Sequence, residues 1–446
     1  MEGALEPKSV STKQERIAEL ARQNPRMAFT SLNHYLDEAW LLRAYDLTRK
    51  DGAVGVDGQD AKEYACNLEA NLRNLLERLK SGRYCAPAVR RHFIPKADGG
   101  QRPLGIPTFE DKVAQRAIVM LLEPIYEQTF HDCSFGFRSG RNAHQALRHM
   151  RNRIMEESGK WVLDIDLRKY FDSIDHAKLR ILLAKRVVDG TVRKLIDKWL
   201  NAGVMEGGQL HYPTAGSPQG GVISPILANV FLHYALDEWF AKVVKPRLSG
   251  RASLTRYADD FVMVFENACD ALKVWNVLPK RMQRFGLELH EQKSRLVDFR
   301  YWRPHRDGWH QQLATTFNFL GFTHLWGVSR RGNYVVMQRT AKDRLARTLK
   351  AITDRCRWMR HDPMREQHRR LCAMLKGHFA YFGITGNSRS LRLVHFYAER
   401  AWHKWLCRRS QKSVIPWRNF RDVLKLMPLP PAHIVHRYTV ASEPMA

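Results

Sequence analysis

The sequence predicts a mixed α+β protein whose last third is all-helical and basic. Two apolar segments, Trp161–Leu167 and Leu254–Phe265, have the alternation and composition of β-strands. Residues 110–128 and 223–245 have the apolar spacing of helices, and only helical patterns follow residue 340. The chain has 446 residues, enough for two or three domains.

Leucine spacing and turn residues define the N-terminal elements. Leucines recur every three or four residues from Leu68 to Leu79, so residues 1–85 are predicted to be mostly helical. A β-hairpin is predicted over 89–106, and the next helix begins after Thr108. Further helices are predicted over 176–200, 223–245, 268–285, 364–381 and 389–408, and short strands over 287–290 and 317–322.

Charge is the strongest signal in the composition. The chain has 73 Lys and Arg against 45 Asp and Glu, a net charge of +28, which indicates a polyanionic partner. Residues 301–446 hold 27 of these cations and eight acids, so this third alone carries a net +19. The balance argues against an enzyme of small neutral substrates.

Acidic residues occur where two predicted strands end or turn. Asp164 and Asp166 alternate with apolar residues and therefore share one face of their strand. The segment Tyr257-Ala-Asp-Asp260 forms the turn between two apolar arms, which places carboxylates at the tip of a hairpin. Magnesium takes oxygen ligands, and two such ions support phosphoryl transfer. Taken alone, however, an Asp-Asp pair is more often an ordinary turn.

The sequence around these acids resembles the group II intron reverse transcriptase/maturase family. Six segments resemble the conserved blocks of that family and occur in the same order over about residues 90–325. They are Ile94–Lys96 with Gln101–Pro107, Phe135–His144, Asp164–His176, Gly216–Pro225, Arg256–Phe265 and Phe319–Phe322.

This resemblance implies a right-hand polymerase fold. Fingers and palm with an antiparallel sheet are expected over residues 86–335, after a helical N-terminal extension over 1–85. A basic three-helix thumb or maturase domain is expected over 336–446. The implied function is RNA-directed DNA synthesis for a group II intron, with help in splicing and retrohoming. Two alternatives stay open: a domesticated reverse transcriptase in phage defence or a CRISPR-associated system, and a splicing-only RNA chaperone.

The resemblance also assigns the catalytic residues. Asp166, Asp259 and Asp260 would hold two magnesium ions and form the catalytic triad. Asp166 is preferred to Asp164 because it lies five residues before Phe171, where the family places its sugar-gating aromatic.

Five residues are assigned to the incoming nucleotide. Cations on the predicted fingers hairpin would bind its triphosphate, because a triphosphate requires fixed positive charge. The Phe171 ring would exclude a ribose 2′-hydroxyl, although an ordinary core role is the alternative. The full set is Lys96, Arg102, Phe171, Gln219 and Lys293.

Nucleic-acid contacts are expected from two regions. Arg138 and Arg141 lie in a basic loop and would contact template phosphate. In the last third the best match to the family is Leu375–Arg389, and the aromatic residues there either stack on bases or pack in the core. The expected contacts in that third are Arg344, Arg347, Lys376, Arg389, Lys404, Arg408 and Arg409.

The expected partners are intron RNA, an RNA template with a DNA primer, dNTPs and a DNA target, with a homodimer possible. The longest apolar stretch, Val222–Leu236, is too interrupted to span a bilayer, so a membrane partner is not expected. The resemblance implies a bacterial protein that is cytoplasmic and nucleoid-associated. The endonuclease cluster that often ends the family is not recognised before Ala446, so target-strand nicking is not expected.

Overall fold

A computed structural model describes residues 7–95, 99–156, 159–212, 216, 220–300, 315–329, 331–410 and 414–438. The chain forms two compact units. The first comprises Met1–Ala146, Ile165–Phe261 and Cys269–Arg295, and the second comprises Leu147–Asp164, Val262–Ala268 and Leu296–Ala446. The domain boundaries expected after residues 85 and 335 stay predictions.

The described elements follow one another in a mixed order. The helices are α1 Pro7–Gln23, α2 Glu38–Leu47, α3 Ala61–Ala65, α4 Leu68–Ser81, α5 Phe109–Glu127, α6 Ala143–Glu156, α7 His176–Ala184, α8 Gly190–Leu200, α9 Ser224–Leu232, α10 Ala268–Arg284, α11 Lys342–Trp358, α12 Met364–Phe382, α13 Ser388–Leu406 and α14 Trp417–Leu426. The strands are β1 Val89–Pro95, β2 Gln101–Ile106, β3 Trp161–Ile165, β4 Val204–Glu206, β5 Gln209–His211, β6 Ala252–Tyr257, β7 Asp260–Phe265, β8 Arg295–Asp298, β9 Phe317–Phe319, β10 Phe322–Val328 and β11 Tyr334–Thr340.

Three sheets are present in the described part of the chain. One has the strand order β2-β1-β4-β5, one has β6-β7-β3-β8 and one has β11-β10-β9. The predicted hairpin over 89–106 is confirmed, with Ile94 opposite Arg102 in an antiparallel register. The mixed α+β fold class is therefore confirmed.

Helix α5 shows how the sequence sets an element's start and its burial. The Thr108 hydroxyl accepts a hydrogen bond from the Asp111 amide at 3.2 Å and so caps the helix. Most of the side chains between Phe109 and Tyr126 are buried, which makes α5 a core helix of the first unit.

Several predicted elements differ from the observed ones. The helix predicted over 176–200 is broken into α7 and α8. The Asp189 side chain accepts a hydrogen bond from the Val192 amide and so caps the start of α8. The strand predicted over 287–290 is only an isolated bridge between Leu289 and Leu167, and the strand in this region is β8. After α9 the backbone continues in two π-helical segments. No prediction covers β4, β5, β11 or α14, and the strand predicted over 317–322 contains β9 but only the first residue of β10.

Leu345, Leu349, Ile352, Cys356 and Met359 recur at intervals of four and three residues, which predicts one apolar face of a helix, and the structure confirms this seam. Helix α11 buries Ile352 and Cys356 fully, and Met359 is buried in the turn after it. Leu345 and Leu349 of the same helix pack against this core. Trp402 lies inside this core, and its indole N–H donates to the Gln367 side-chain oxygen at 3.0 Å. Trp402 is thus a core residue rather than a surface for stacking.

A search for membrane-crossing helices among the described residues finds none with the necessary length and apolar character.

Candidate active site

The first acidic residue of the site follows directly after strand β3. The backbone of Asp166 is held in place, since its carbonyl accepts from the His290 amide at 2.8 Å and its amide donates to the Ser294 hydroxyl at 3.3 Å. Its side chain is half-buried, and the Lys293 ammonium lies 3.5 Å from one carboxylate oxygen. The structure thus brings Lys293 and Asp166 together, while the nucleotide contact expected of Lys293 stays a prediction.

The second and third acids occupy the predicted hairpin turn. Strand β6 ends at Tyr257 and β7 begins at Asp260, so Ala258 and Asp259 make the connection. Ala258 has a φ of +59°, a left-handed conformation that costs free energy in a residue with a side chain. Such a turn requires support from the surrounding structure.

Arg256 supplies much of that support from inside the protein. Its guanidinium is fully buried and donates to the Ala258 carbonyl at 3.0 Å. Two further bonds, of 2.8 and 2.6 Å, join it to both carboxylate oxygens of Asp237, which is also fully buried. The remaining donors reach Asn229 at 2.9 Å and Ser134 at 2.7 Å. The sequence analysis assigned no role to Arg256, although an arginine inside an apolar strand already signals a buried partner.

A loop from an earlier part of the chain packs against the same turn. The Phe135 amide donates to the Arg256 carbonyl at 2.9 Å. At Gly136 a Cβ would lie 2.3 Å from the Ala258 nitrogen, so only glycine allows this approach. The Asn229 amide group donates to the Gly136 carbonyl at 2.7 Å. The block around Phe135 therefore supports the acidic turn.

The electrostatics of Asp259 connect the separate parts of the site. Burial raises the pKa of its carboxyl, and repulsion from Asp166 raises this pKa further. The positive charges of Arg102 and Arg256 oppose the rise. The site therefore concentrates negative charge that a bound cation would relieve, with Arg102 on the predicted fingers hairpin close enough to influence it.

The candidate sugar-gating residue lies just beyond Asp166. Lys169 has a φ of +46° and starts a short 3-10 helix, Tyr170–Ser173. The buried Tyr170 hydroxyl donates to the Ala228 carbonyl at 2.6 Å. Phe171 is half-exposed and packs edge-on against the Tyr170 ring, with centroids 5.4 Å apart. The ring is therefore fixed by its neighbour while part of it stays accessible.

The described ends of the Gly216–Gly221 loop are anchored on two sides. The Gly216 amide donates to the Ile174 carbonyl at 2.9 Å, and a His176 ring nitrogen lies 2.6 Å from the Gly216 carbonyl. At Gly220 a Cβ would lie 2.6 Å from the Gly105 carbonyl of strand β2. Gln219 within this loop lies outside the described residues, and so does Lys96.

The two loop arginines have different surroundings. Arg138 is buried, pairs with Glu127 at 2.9 Å and donates to the carbonyls of His131 and Ser134. A phosphate contact by Arg138 is therefore not supported, because protein groups already surround its guanidinium, and we assign it a structural role. Arg141 is more accessible but pairs with Asp132 at 2.6 Å.

Helices α11 to α14 and the turns between them form the helical unit, and the cations predicted to bind RNA there are mostly exposed. Lys376 and Arg389 are exposed on α12 and α13. Arg344 and Arg347 on α11 both pair with Asp343, the former at 3.9 Å. Ion pairs at the surface are weak, so Arg344 and Arg347 remain near solvent, as Lys376 and Arg389 do.

A further group of cations surrounds Trp405. The charges of Lys404, Arg408 and Arg357 lie 6.0, 5.5 and 5.7 Å from its ring centroid. Arg409 differs, because it donates to two backbone carbonyls of the turn after α11 at 2.6 and 2.7 Å. The predicted RNA contact of Arg409 is therefore replaced by a structural role.

An open cleft beside these cations has a volume of about 600 Å³. Basic side chains from α13 and the following turn line it together with aromatic rings. The Trp417 ring is stacked on His403 with centroids 4.1 Å apart. The lining residues used below are Tyr397, Arg400, His403, Lys404, Arg408 and Trp417.

The donor set at the acidic turn is suited to a hard divalent cation. Within the described ranges, no three His, Cys, Asp or Glu side chains are close enough to form a complete metal site. Magnesium usually binds one or two carboxylates and completes its shell with water and substrate phosphates. The pair Asp166 and Asp259 is compatible with that kind of site.

Comparisons with known proteins identify the family. The model of the reverse transcriptase (RNA-dependent DNA polymerase) family matches residues 94–324. Protein YkfC of Escherichia coli K12 is 32% identical over 287 residues, which cover 57% of this chain and 75% of YkfC. The group II intron-encoded protein LtrA of Lactococcus lactis is 37% identical over 224 residues, or 49% of this chain and 37% of LtrA.

A yeast intron protein is similar over part of the same region. The putative COX1/OXI3 intron 2 protein of Saccharomyces cerevisiae is 36% identical over 198 residues, covering 44% of this chain and 23% of the yeast protein. The chain therefore spans less than two fifths of either intron protein. The matched region runs from the end of β1 to the start of β10 and includes every described residue of the acidic site. The chain belongs to the reverse transcriptase family of RNA-directed DNA polymerases, and its similarity to intron-encoded proteins supports the group II intron branch of that family.

Proposed function

We propose that this chain is the RNA-directed DNA polymerase of a group II intron, and that it also binds the intron RNA and assists splicing and retrohoming. The observation that supports the polymerase most directly is the grouping of Asp166, Asp259 and Arg102. Two carboxylates influence each other there, and a cation from the hairpin β1–β2 counters their charge. This charge arrangement suits nucleotidyl transfer from a triphosphate to a primer hydroxyl.

The proposed reaction joins a primer 3′-hydroxyl to the α-phosphate of a dNTP and releases pyrophosphate. Asp166, Asp259 and Asp260 would hold two magnesium ions, of which Asp260 is the half-buried first residue of β7. When bound, these ions would activate the hydroxyl and neutralise charge on the phosphates. Arg256 keeps the turn in the required geometry, and Arg102 attracts the triphosphate.

The other nucleotide contacts follow from their positions. Phe171 presents an accessible ring next to Asp166 and would collide with a ribose 2′-hydroxyl. Lys293, held near Asp166, would bind the phosphates once the metal site is filled. Lys96 and Gln219 keep the roles implied by the family resemblance.

The proposed RNA-binding surface lies on the helical unit. Residues 336–446 are the proposed thumb, and residues 86–335 are the proposed fingers and palm. Lys404, Arg408 and Arg400 border the cleft of about 600 Å³ and would bind phosphates, while the Tyr397 ring offers a stacking surface. Arg344, Arg347, Lys376 and Arg389 extend the positive surface. Arg141 remains a candidate template contact.

The proposed intron role rests on relatives whose names say that introns encode them. Its substrates would be intron RNA, a primed RNA template, dNTPs and a DNA target. An intron ribozyme encoded around the reading frame would support it, and stimulation of that RNA's self-splicing by the protein would test it. A protein that extends primers but leaves splicing unchanged would favour the domesticated alternative.

The polymerase proposal is tested by primer extension on an RNA template with magnesium. We expect Asp259→Ala to abolish cDNA synthesis while leaving RNA binding nearly unchanged, because the carboxylate is needed for metal and not for folding. Asp172→Ala is the matched control, since this carboxylate is exposed and lies six residues after Asp166. Loss of both activity and RNA binding in Asp259→Ala would instead mean that the carboxylate is structural.

A further inference from the structure

One buried carboxylate of the first unit has no part in the proposed chemistry. Asp111 on α5 accepts hydrogen bonds from the Tyr84 hydroxyl and, at 2.7 Å, from the Trp199 indole N–H, both at the same oxygen. Its other oxygen accepts from the Gln115 amide group at 3.0 Å. Both carboxylate oxygens are therefore occupied by donors.

Gln115 connects Asp111 to the backbone of a segment that is distant in sequence. Its side-chain oxygen accepts from the Ile223 amide at 3.2 Å. Ile223 immediately precedes α9 and lies two residues after the loop that ends at Gly221. The same loop contacts the strand that carries Arg102, where Gly220 lies against the Gly105 carbonyl. The Asp111–Gln115 pair thus fixes Ile223, which lies three residues after the glycine that packs against strand β2.

We propose that Asp111, acting through Gln115, is a positioning residue that sets Ile223 and the adjoining Gly220 backbone against strand β2 for the incoming dNTP. The inference rests on the proposed function, which assigns Arg102 of that strand to the triphosphate. Neither Asp111 nor Gln115 touches substrate. Their role is to keep strand β2, and with it Arg102, in the position that binds the nucleotide.

Hydrogen-bond chemistry explains why a carboxylate is used. An ionised carboxylate only accepts, so Asp111 forces the Gln115 amide to point its NH₂ group inward and its oxygen toward Ile223. In Asp111→Asn one oxygen becomes an NH₂ group. The Gln115 side chain then either faces a second donor or flips, and a flipped amide presents NH₂ to the Ile223 amide. In both cases one buried donor loses its acceptor.

The same logic specifies a repair. In the double variant Asp111→Asn/Gln115→Glu, the oxygen of the introduced asparagine side chain still accepts from Tyr84 and Trp199, and its NH₂ donates to the new carboxylate. The second oxygen of that carboxylate accepts from Ile223. Every donor regains an acceptor, and the buried charge moves from one side chain to the other without changing in number.

The test is steady-state primer extension on an RNA template with the full-length chain, normalised to active sites. We expect Asp111→Asn to raise the KM for dNTP about five- to tenfold, with kcat changed less than about threefold, because a displaced strand β2 weakens nucleotide binding first. The double variant should return KM to within about twofold of the wild type.

Asp189→Asn is the control for a purely structural effect. Asp189 is buried and accepts from the backbone amides of Leu32 and Val192, away from the loop. This control should lower thermal stability and leave KM for dNTP unchanged. An unchanged KM in Asp111→Asn, or a double variant that regains melting temperature but not KM, overturns the proposal. Because each result is a ratio to wild-type activity, an inactive wild type would refute the proposed function instead.

Discussion

Arg256 and Asp237 form a fully buried, bidentate ion pair directly behind the Asp-Asp turn, with nitrogen–oxygen distances of 2.8 and 2.6 Å. The same guanidinium donates to the carbonyl of Ala258, the residue with the left-handed backbone. A charge placed this deeply is tolerated only with full pairing. The pair therefore holds a strained turn, and the position of that turn determines where the proposed catalytic carboxylates Asp259 and Asp260 lie.

Removal of Arg256 alone should strongly destabilise the folded protein. Arg256→Met leaves Asp237 buried without its partner, so we expect the free energy of unfolding to fall by about 3–5 kcal/mol. Chemical denaturation followed by far-UV circular dichroism measures this. A decrease in the free energy of unfolding below about 1 kcal/mol would contradict the conclusion that Arg256 and Asp237 form a fully desolvated ion pair.

The double variant Arg256→Met/Asp237→Leu separates stability from geometry. Replacement of both charges with apolar groups of similar size should restore most of the lost stability. Polymerisation should stay slow, because the Ala258 carbonyl has lost its donor and the turn is free to relax. Normal kcat in primer extension by the double variant would show that the turn needs no such support.

Discrimination between sugars should depend on Phe171. Phe171→Ala removes the half-exposed ring and should improve ribonucleotide incorporation relative to deoxynucleotide roughly ten- to a hundredfold. The measurement is the ratio of kcat/KM for dNTP and rNTP. The control is Tyr170→Phe, which loses the bond to Ala228 and should destabilise the protein without changing the ratio. Equal changes in both variants would mean that Phe171 acts only through packing.

The basic cleft of the helical unit should contribute to RNA affinity through charge. Lys404→Glu/Arg408→Glu should weaken RNA binding about tenfold or more and lower the slope of log affinity against log salt by about one to two. Filter binding between roughly 50 and 300 mM salt gives both values. Lys425→Glu is the control, because this exposed lysine pairs with Asp422 and does not line the cleft. An equal loss in the control would indicate a general charge effect.

The buried Asp111 predicts a specific pH dependence of stability. Burial raises the pKa of its carboxyl to about 6, with a smaller contribution from Glu110, while its three hydrogen-bond donors lower it. The folded state therefore binds the proton more tightly than the unfolded state, whose pKa is near the ordinary value. This contribution to stability is fully present below that ordinary value and is lost as pH rises through the folded-state pKa of about 6.

The check is the melting temperature of wild type and Asp111→Asn from about pH 8 to about pH 5. The asparagine side chain carries no charge at any of these pH values, so only the wild type should gain stability from this site on acidification. The melting temperature of the wild type relative to the variant should therefore rise as pH falls. A difference that stays constant across the range would mean that Asp111 does not titrate there.

Local patterns were sufficient for much of this protein. The mixed fold class, the β1–β2 hairpin, helix α5 with its Thr108 cap and the seam of α11 are all visible in the spacing of apolar and capping residues. The reverse transcriptase family is visible as well, because the blocks around Asp166 and Asp259 are contiguous in sequence. The charge excess of the last third also needs no structure.

The tertiary structure decided which charged residues are structural. Arg138 and Arg256 both lie in motif-rich segments, yet both are buried against acids from other segments. Gln115 reaches a backbone amide 108 residues away. Periodicity along one segment reports its own buried face and cannot report which distant segment supplies a partner. The sequence by itself therefore determined the family and pointed to the candidate catalytic carboxylates, whereas only packing determined which buried polar groups hold the acidic turn and the start of α9 in place.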